Sequence, residues 1–275
     1  MSRVLEIKSV VKRYWNPRSK RWEVILDRIS FDVEAGEFIA LVGPSGSGKT
    51  RLLNLVGGFE SQNEGEVLIE GQRIGGPDRN RGIVTQQYSL FPNLTVLDNV
   101  AFGLDLEEFT LLNRWTRFLR YREARKGHRK RAMEYLEQVR LDTHAHKHPH
   151  QLSGGMRQRV AIAQALIMKP KVLMMDEPFG ALDPEAREEL QAAMIQTHEK
   201  ERNTIVFVTH DLEEAAYLAT RVLVLMPDKA ALARGEGGHA RIARDVRTPD
   251  RPRKDRRDDP EYWKLVKTIR TTLSA

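Results

Sequence analysis

The stretch from Gly43 to Thr50 constrains the fold more than any other part of the chain. It reads Gly-Pro-Ser-Gly-Ser-Gly-Lys-Thr and follows the apolar run Phe38–Val42. In the pattern G-x-x-x-x-G-K-[S/T], glycines between a buried strand and a helix let backbone N–H groups point at a polyphosphate. The apolar run Leu52–Val56 fits that helix, whose positive N-terminal end would face the phosphate. The alternative, a glycine-rich surface turn, would have to match the strand, the loop and the helix by chance.

This loop predicts a binding site for a nucleotide polyphosphate. Lys49 would reach the β- and γ-phosphates, and the Thr50 hydroxyl would hold Mg²⁺. The residues assigned to nucleotide binding in this loop are Gly43, Pro44, Ser45, Gly46, Ser47, Gly48, Lys49 and Thr50.

A second anion-binding device occurs much later in the chain, at Leu152–Arg159. The segment opens a helical run that continues through Leu166, and Ser153 suits the N-cap position. Gly154 and Gly155 stand at the helix start, where they expose backbone donors to an anion. We therefore expect this turn to bind phosphate, although local sequence does not connect it to the first loop.

Polar side chains follow two further buried strands. The run Val172–Met175 ends in Asp176 and Glu177, and Thr204–Thr209 is followed by His210. In open α/β sheets, ligands bind at the carboxyl ends of the strands. One carboxylate there can reach Mg²⁺ and the second can orient or deprotonate an attacking water. The alternatives are a helix-capping acid pair and an ordinary polar loop histidine.

Three aromatic residues flank a polar loop between two strands, which we expect at Val4–Tyr14 and Val24–Val33. Tyr14, Trp15 or Trp22 could stack on a purine base, or each could simply pack at the edge of a strand. Position in the sequence does not distinguish among the three, and we take Tyr14 as the candidate for stacking on the base.

Composition limits the cellular context. The 275 residues include no cysteine, so disulfides and thiolate metal sites are excluded and a reducing compartment fits. No stretch approaches the ~18 apolar residues that cross a bilayer, and the N-terminus does not resemble a secretion signal, so we expect any membrane role to come through a partner chain. The net charge of +7 is concentrated in 114–131 and 241–257, which weakens a nucleic-acid interpretation.

The pattern from Leu94 to about Arg140 indicates helix. An apolar stripe within it is either a core contact or a docking surface for a partner or lipid headgroups; its members are Leu111, Leu112, Trp115, Phe118 and Leu119.

Histidines recur at every second position from His144 to His150, in a segment that we interpret as a loop with adventitious metal affinity.

Together these segments resemble the ATP-binding cassette (ABC) ATPases, over about Val4 to Met226. The signature at Leu152–Arg159 is the most specific element, since other phosphate-loop enzymes lack it. Leu90–Val100 and His150–Ser153 look like bacterial importer subunits, nearest the nitrate/sulfonate/taurine group. The remaining matches are the Q-loop at Gln86, the Walker B strand ending in Asp176, the D-loop at Ala181–Asp183 and the switch histidine His210.

The resemblance implies an α/β fold: a P-loop NTPase (RecA-like) core with an N-terminal antiparallel β subdomain and an inserted α-helical signature subdomain. It implies an ATPase domain at 1–227, with the helical subdomain at about 90–165, and a basic tail at 228–275 with a terminal amphipathic helix.

It also implies roles for named residues, with ATP and Mg²⁺ as the bound groups. Thr50, Gln86 and Asp176 would bind the metal. Glu177 would be the base and His210 would fix the γ-phosphate, so the catalytic set is Lys49, Gln86, Glu177 and His210. The nucleotide would also contact Ser153, Gly154, Gly155 and Asp183 of a second copy.

The implied partners are a second ATPase subunit, most simply a homodimer, transmembrane permease subunits and, indirectly, an external solute-binding protein, with no nucleic acid. The implied location is the cytoplasmic face of the inner membrane. The expected function is therefore ATP hydrolysis that drives solute import. Two alternatives are a soluble ABC ATPase acting on nucleic acid or ribosomes, and a small-molecule kinase built on the same loop, which the signature and His210 disfavour.

Overall fold

The computed structural model describes residues 2–86, 90–108, 118–228, 239–248 and 257–274. Its described strands form one ten-stranded sheet with helices on both faces. This arrangement confirms the expected α/β phosphate-loop fold.

The parallel part of the sheet is built from the short apolar runs of the sequence. Its strands are β3 (Phe38–Val42), β6 (Arg81–Val84), β7 (Val172–Asp176), β8 (Ile205–Val208) and β9 (Arg221–Pro227). They lie side by side in the order β9-β3-β8-β7-β6, and each neighbouring pair is parallel. Their carboxyl ends therefore meet at one edge of the sheet, as the sequence predicts for Asp176 and His210.

The antiparallel part consists of β1 (Arg3–Asn16), β2 (Arg21–Glu34), β4 (Glu64–Ile69) and β5 (Gln72–Arg73). The loop expected at residues 15–22 is shorter than predicted, because Trp15 and Trp22 are paired across the two strands. Their ring centroids are 5.8 Å apart, so mutual packing of the two indoles extends the hairpin to a turn at 17–20.

The two faces of the sheet bury separate cores. Along β3, Phe38, Ala40 and Val42 point to one core, while Ile39 and Leu41 point to the other. This alternation follows from the two-residue period of a strand. The first core holds most of the helices, and the second joins α1 (Lys49–Gly57) to the antiparallel strands.

The remaining helices are α2 (Val96–Glu108), α3 (Phe118–Gln138), α4 (Gly154–Leu166), α5 (Pro184–Glu201), α6 (Leu212–Leu218) and α7 (Pro260–Ser274). Helices α2 and α3 pack against each other through ionic contacts: Asp98 with Arg125 and Arg129, and Asp105 with His128. Of the predicted apolar stripe, Leu111, Leu112 and Trp115 lie outside the described residues, and Phe118 and Leu119 form the start of α3.

The C-terminal segment is part of the sheet and of its core. Strand β10 (Ala240–Arg247) lies between β2 and β9, antiparallel to β9. On α7, buried Leu265, Val266 and Ile269 join the first core. The Tyr262 hydroxyl donates to the Glu213 carbonyl at 3.1 Å, which fixes α7 against α6. The domain division at 227 remains a prediction, but the described residues beyond it pack against the sheet and its first core.

The histidine-rich segment lies between α3 and α4. Residues 142–144 and 149–151 form short 3₁₀ turns, in the segment that we interpret from the sequence as a loop. Within the described ranges, no helix has both the length and the apolar character needed to cross a bilayer.

Candidate functional site

The loop from Gly43 to Gly48 is shaped by glycines whose replacement the structure does not allow. At Gly43, a Cβ would lie 2.2 Å from the carbonyl oxygen of Leu225. Gly48 has φ +85° and is the N-cap of α1, and a Cβ there would lie 2.7 Å from a methyl of Leu26. The loop therefore folds tightly over the start of α1, whose first N–H groups have no intrahelical acceptor.

Lys49 is held across this loop. Its Nζ donates to the carbonyl oxygens of Gly43 at 2.8 Å and Pro44 at 2.9 Å. Burial lowers the pKa of this ammonium, and the nearby carboxylates of Glu177 and Asp176 act in the opposite direction. The Ser47 hydroxyl is also buried and, in the part of the chain described, has no hydrogen-bond partner.

Thr50 at the start of α1 and Asp176 at the end of β7 bring two oxygen atoms close together. The Thr50 hydroxyl donates to Asp176 Oδ2 at 2.8 Å. Burial raises the pKa of Asp176 above its ordinary value. The hydrogen bond from Thr50 and the charge of Lys49 offset part of this rise. A hydroxyl and a carboxylate at this separation are ligands that suit a hard divalent cation.

Glu177 lies between two other predicted residues at the end of β7. Its φ of +48° is left-handed, an unusual backbone conformation for glutamate. His210 Nδ1 is 3.4 Å from Glu177 Oε1, and Gln86 Nε2 is 3.5 Å from Glu177 Oε2. Gln86 and His210, which are far apart in the sequence, thus converge on the carboxylate of Glu177.

Several of these groups line a cleft of about 510 Å³. Its lining residues come from the phosphate loop and the start of α1, together with Glu177, Val208, Tyr14 and Ile25. The cleft therefore combines a cation and backbone donors with a carboxylate and an aromatic wall, which suits a nucleotide polyphosphate.

Among the three aromatic candidates, only Tyr14 lines this cleft. Trp15 follows it on β1 and so points to the opposite face of the strand. Trp15 and Trp22 are about half exposed and pack on each other. The structure therefore favours Tyr14 as the candidate base platform.

The signature residues do not line the cleft. Ser153 caps α4, and its hydroxyl accepts from the N–H of Met156 at 3.2 Å. A Cβ on Gly155 would lie 2.5 Å from a methyl of Leu182, so the start of α4 packs on the predicted D-loop. Asp183 caps α5 in the same way, accepting from the N–H of Ala186 at 2.9 Å.

Sequence reasoning missed Ile25 and Arg51, which line the cleft, and Glu60, which bonds the cleft residue Tyr14. Arg51 follows the phosphate-loop motif directly and was within reach of that argument. Ile25 and Glu60 belong to other segments, and no local pattern marks them. Glu60 is bonded to Tyr14 from a position 46 residues further along the chain.

Comparison with known proteins agrees with this geometry. A family profile described as "ABC transporter" matches residues 26–180. A sulfate/thiosulfate import ATP-binding protein, CysA of Pseudomonas syringae, is 46% identical over 203 residues, which cover 73% of this chain and 59% of that protein. The match thus spans less than two thirds of that relative. An aliphatic sulfonates import ATP-binding protein, SsuB of Bacillus cereus, is 39% identical over 215 residues and 78% of each chain.

Two solved structures of an ABC transporter cassette also superpose on this chain. The dimeric structure of MJ0796, a bacterial ABC transporter cassette, superposes with a TM-score of 0.72 at 31% identity, covering 90% of this chain and all of that one. A post-hydrolysis dimeric state of the same cassette, bound to ADP and Pi, gives a TM-score of 0.71 at 30% identity. The sequence motifs, the cleft and these relatives together lead to one conclusion: the chain belongs to the ABC transporter family of ATP-binding proteins.

Proposed function

We propose that this chain binds and hydrolyses ATP as the motor subunit of a bacterial ABC importer. One observation supports it above all: Glu177, His210 and Gln86 converge beside the phosphate loop that holds Lys49 and Thr50. The names of the relatives describe import ATP-binding proteins, which supports import over the soluble alternative that acts on nucleic acid or ribosomes.

The residues present fit ATP with Mg²⁺. Lys49 and the free N–H groups at the start of α1 would hold the phosphates, and Tyr14 would meet the base. Thr50 and Asp176 would ligate the metal with the amide of Gln86 as a third ligand. Bound Mg²⁺ would neutralise charge on the β- and γ-phosphate oxygens.

Glu177 is the proposed general base. Its carboxylate lines the cleft, whereas the carboxylate of Asp176 bonds Thr50. His210, which is 3.4 Å away, would hold the carboxylate and the γ-phosphate in register. Gln86 contacts the other carboxylate oxygen and would link the base to the helical region.

A second copy of the chain is the proposed source of the missing part of the site. Ser153, Gly154 and Gly155 lie outside their own cleft and so would meet the nucleotide of a partner chain, together with Asp183. Both solved structures of the MJ0796 cassette are dimeric, which supports this arrangement. A head-to-tail pair would enclose two nucleotides and open after hydrolysis.

A groove of about 500 Å³ is the proposed docking site for a permease. It lies between β6, α2 and α4, and its walls include Phe59, Phe91 and Phe102. Phe59 and Phe91 are about half exposed, and the Phe91 and Phe102 ring centroids are 4.4 Å apart. An apolar helix of a membrane subunit suits such a groove. This partner would hold the chain at the cytoplasmic face of the inner membrane and link it indirectly to an external solute-binding protein.

The proposal is tested by phosphate release from ATP by the purified chain, with and without Mg²⁺. Lys49→Ala should reduce turnover by about 10²- to 10³-fold, because it removes a charge-assisted donor from the phosphates. Lys126→Ala, which changes an exposed lysine of α3, is the matched control and should leave turnover unchanged. Equal turnover in the Lys49 variant and the native chain would contradict the assignment. The import step is tested by solute uptake into proteoliposomes that contain the permease and either chain.

A further inference from the structure

Tyr14 is tethered at its hydroxyl by a residue that belongs to another part of the chain. The Tyr14 O–H donates to the carboxylate of Glu60, which lies in the turn between α1 and β4. A tyrosine whose ring only had to pack against a strand would not need this bond, because the hydroxyl of a half-buried ring can reach water.

Glu60 is itself held in place by several donors. Arg51 Nη1 donates to Oε1 at 2.9 Å, and Asn54 Nδ2 donates to the same oxygen at 3.1 Å. Lys12 Nζ forms an ion pair with Oε2 at 3.3 Å. Only 18% of the Glu60 side chain is exposed. The carboxylate therefore has little freedom to move, and neither does the hydroxyl bonded to it.

The backbone around Glu60 is fixed as well. Helix α1 ends at Gly58, whose φ of +75° is a left-handed C-cap. The N–H groups of Phe59 and Glu60 both point to the carbonyl of Asn54, at 3.0 and 3.4 Å. The position of the carboxylate thus follows from the end of the helix that begins at the phosphate loop.

Both groups are in the state that this bond requires. Burial works against the charged form of Glu60, but the hydrogen bonds from Tyr14, Asn54, Arg51 and Lys12 outweigh it and lower the pKa of Glu60 to about 2. Burial and the bond to Glu60 raise the pKa of Tyr14 to about 12. At neutral pH the carboxylate is charged and the phenol keeps its proton.

Two cations lie near the ring of Tyr14. Lys12 Nζ is 4.9 Å and Arg51 Cζ is 5.1 Å from the ring centroid. Contacts of this length are attractive between a cation and an aromatic ring. The same two cations are the ion-pair partners of Glu60, so the ring, its hydroxyl and its neighbours form one network.

From this network we propose that Glu60 is a positioning residue for the nucleotide base. It holds the Tyr14 ring at the wall of the cleft, so that a purine stacks on a ring that is already in place. The inference rests on the proposed function, in which Tyr14 meets the base. Because ordering a free side chain on binding lowers affinity, loss of the tether should weaken nucleotide binding by about 3- to 10-fold.

The experiment compares two ligands that share phosphates but differ in the base. Affinities are measured for a fluorescent ATP analogue and, by competition, for inorganic tripolyphosphate. Glu60→Ala should weaken the ATP analogue by about 3- to 10-fold and leave tripolyphosphate unchanged. KM for ATP should rise in parallel while kcat stays within about two-fold, because the base does not take part in the chemical step. Glu64→Ala, which breaks the neighbouring pair with Arg13, is the matched control and should change neither ligand.

A double-mutant cycle separates positioning from structural support. Tyr14→Phe keeps the ring but loses the tether, so Glu60→Ala should have little further effect in that background. Glu60→Gln, which keeps an acceptor oxygen, should bind the ATP analogue with intermediate affinity and covers the case in which the alanine variant does not fold. A purely structural Glu60 would lower the melting temperature in both variants without changing the affinity of the folded protein for either ligand, and that result would overturn the inference.

The outcomes also distinguish this inference from the function on which it rests. If the native chain binds no nucleotide, the proposed function fails. If Tyr14→Ala binds ATP as tightly as the native chain, the base platform is wrong, since loss of a stacked ring should cost about ten-fold or more. If Tyr14→Ala is weakened and Glu60→Ala and Glu60→Gln are not, the platform stands and the positioning role of Glu60 is refuted.

Discussion

The chain has two helix starts that look alike in the sequence and differ in their surroundings. Helix α1 begins after Gly48 and α4 begins after Ser153, and glycines stand at both starts. At α1 no side chain caps the helix, and the start faces a cleft that is also lined by a lysine, a carboxylate and a tyrosine. At α4 the Ser153 hydroxyl already accepts one of the first N–H groups, and the turn packs on Leu182.

The difference teaches that a local anion-binding device does not make a complete site. The α1 start is surrounded by this chain's own groups, which can bind phosphate and activate water. The α4 start has donors but no such surroundings within the described residues. In the proposed function, one helix start would therefore form the main half of a site, and the other would complete a site on another molecule.

The largest expected effect breaks only the α1 side of this comparison. Glu177→Gln should reduce ATP hydrolysis by about 10²- to 10⁴-fold, because it removes the proposed base but keeps the shape of the side chain. ATP affinity should be retained, and light scattering should show an ATP-dependent dimer. Turnover close to that of the native chain would exclude Glu177 as the base. Glu213→Gln, in the first turn of α6, is the control and should hydrolyse ATP normally.

The next prediction asks whether the α4 start serves its own cleft or that of a partner. A chain with Lys49→Ala and a chain with Ser153→Arg should each be inactive alone. An equal mixture should recover about a quarter of native activity, because half the dimers are mixed and each mixed dimer has one intact site. The estimate holds if the two sites turn over independently.

The mixed-dimer experiment has a matched control in the same region. Gly127→Arg adds an arginine at a position of α3 where a Cβ has open space, so that variant should be active alone. An absence of recovery in the Lys49 and Ser153 mixture would indicate that Ser153 acts on the cleft of its own chain. The comparison between the two helix starts would then lose its main consequence.

The smallest expected effect concerns the anchor of the base platform. The pKa of Glu60 is about 2 in the folded chain, below its ordinary value of 4.5. A depressed pKa stabilises the folded state above about pH 4.5, and this contribution is lost as the pH falls toward 2. The free energy of unfolding of the native chain, measured with urea, should therefore exceed that of Glu60→Gln at pH 6, and the difference should shrink by pH 3. Glu64→Gln is the control, and a difference between the native chain and Glu60→Gln that is independent of pH would refute the assigned pKa.

The parts of the site that the sequence predicted correctly in position are local. The phosphate loop and the Ser153 cap each depend on a few consecutive residues, and the chain forms them where the patterns indicate. The strands β3, β7 and β8 were also predictable, because short apolar runs that end in polar residues suit the centre of a parallel sheet. The roles assigned to these residues in binding and hydrolysis remain proposals.

Other features depended on contacts between distant segments. Gln86 and Glu177, 91 residues apart, come within 3.5 Å only because β6 and β7 are neighbours. The C-terminal segment was interpreted as a tail because its composition is basic, yet β10 pairs with β9 and β2. Charged residues on β10 lie at exposed positions of that strand, so charge did not reveal the pairing.

The sequence by itself determined the local elements: a glycine-rich phosphate loop before a helix, a carboxylate at the end of a buried strand, and a second helix start with glycines. These are properties of short segments, where backbone conformation and hydrogen bonding are set by adjacent residues. Only the tertiary structure decided which aromatic ring lines the cleft, that Glu60 bonds its hydroxyl, and that the signature turn does not line the cleft at its own phosphate loop. Such choices depend on how strands and helices pack, and packing joins residues that no local pattern connects.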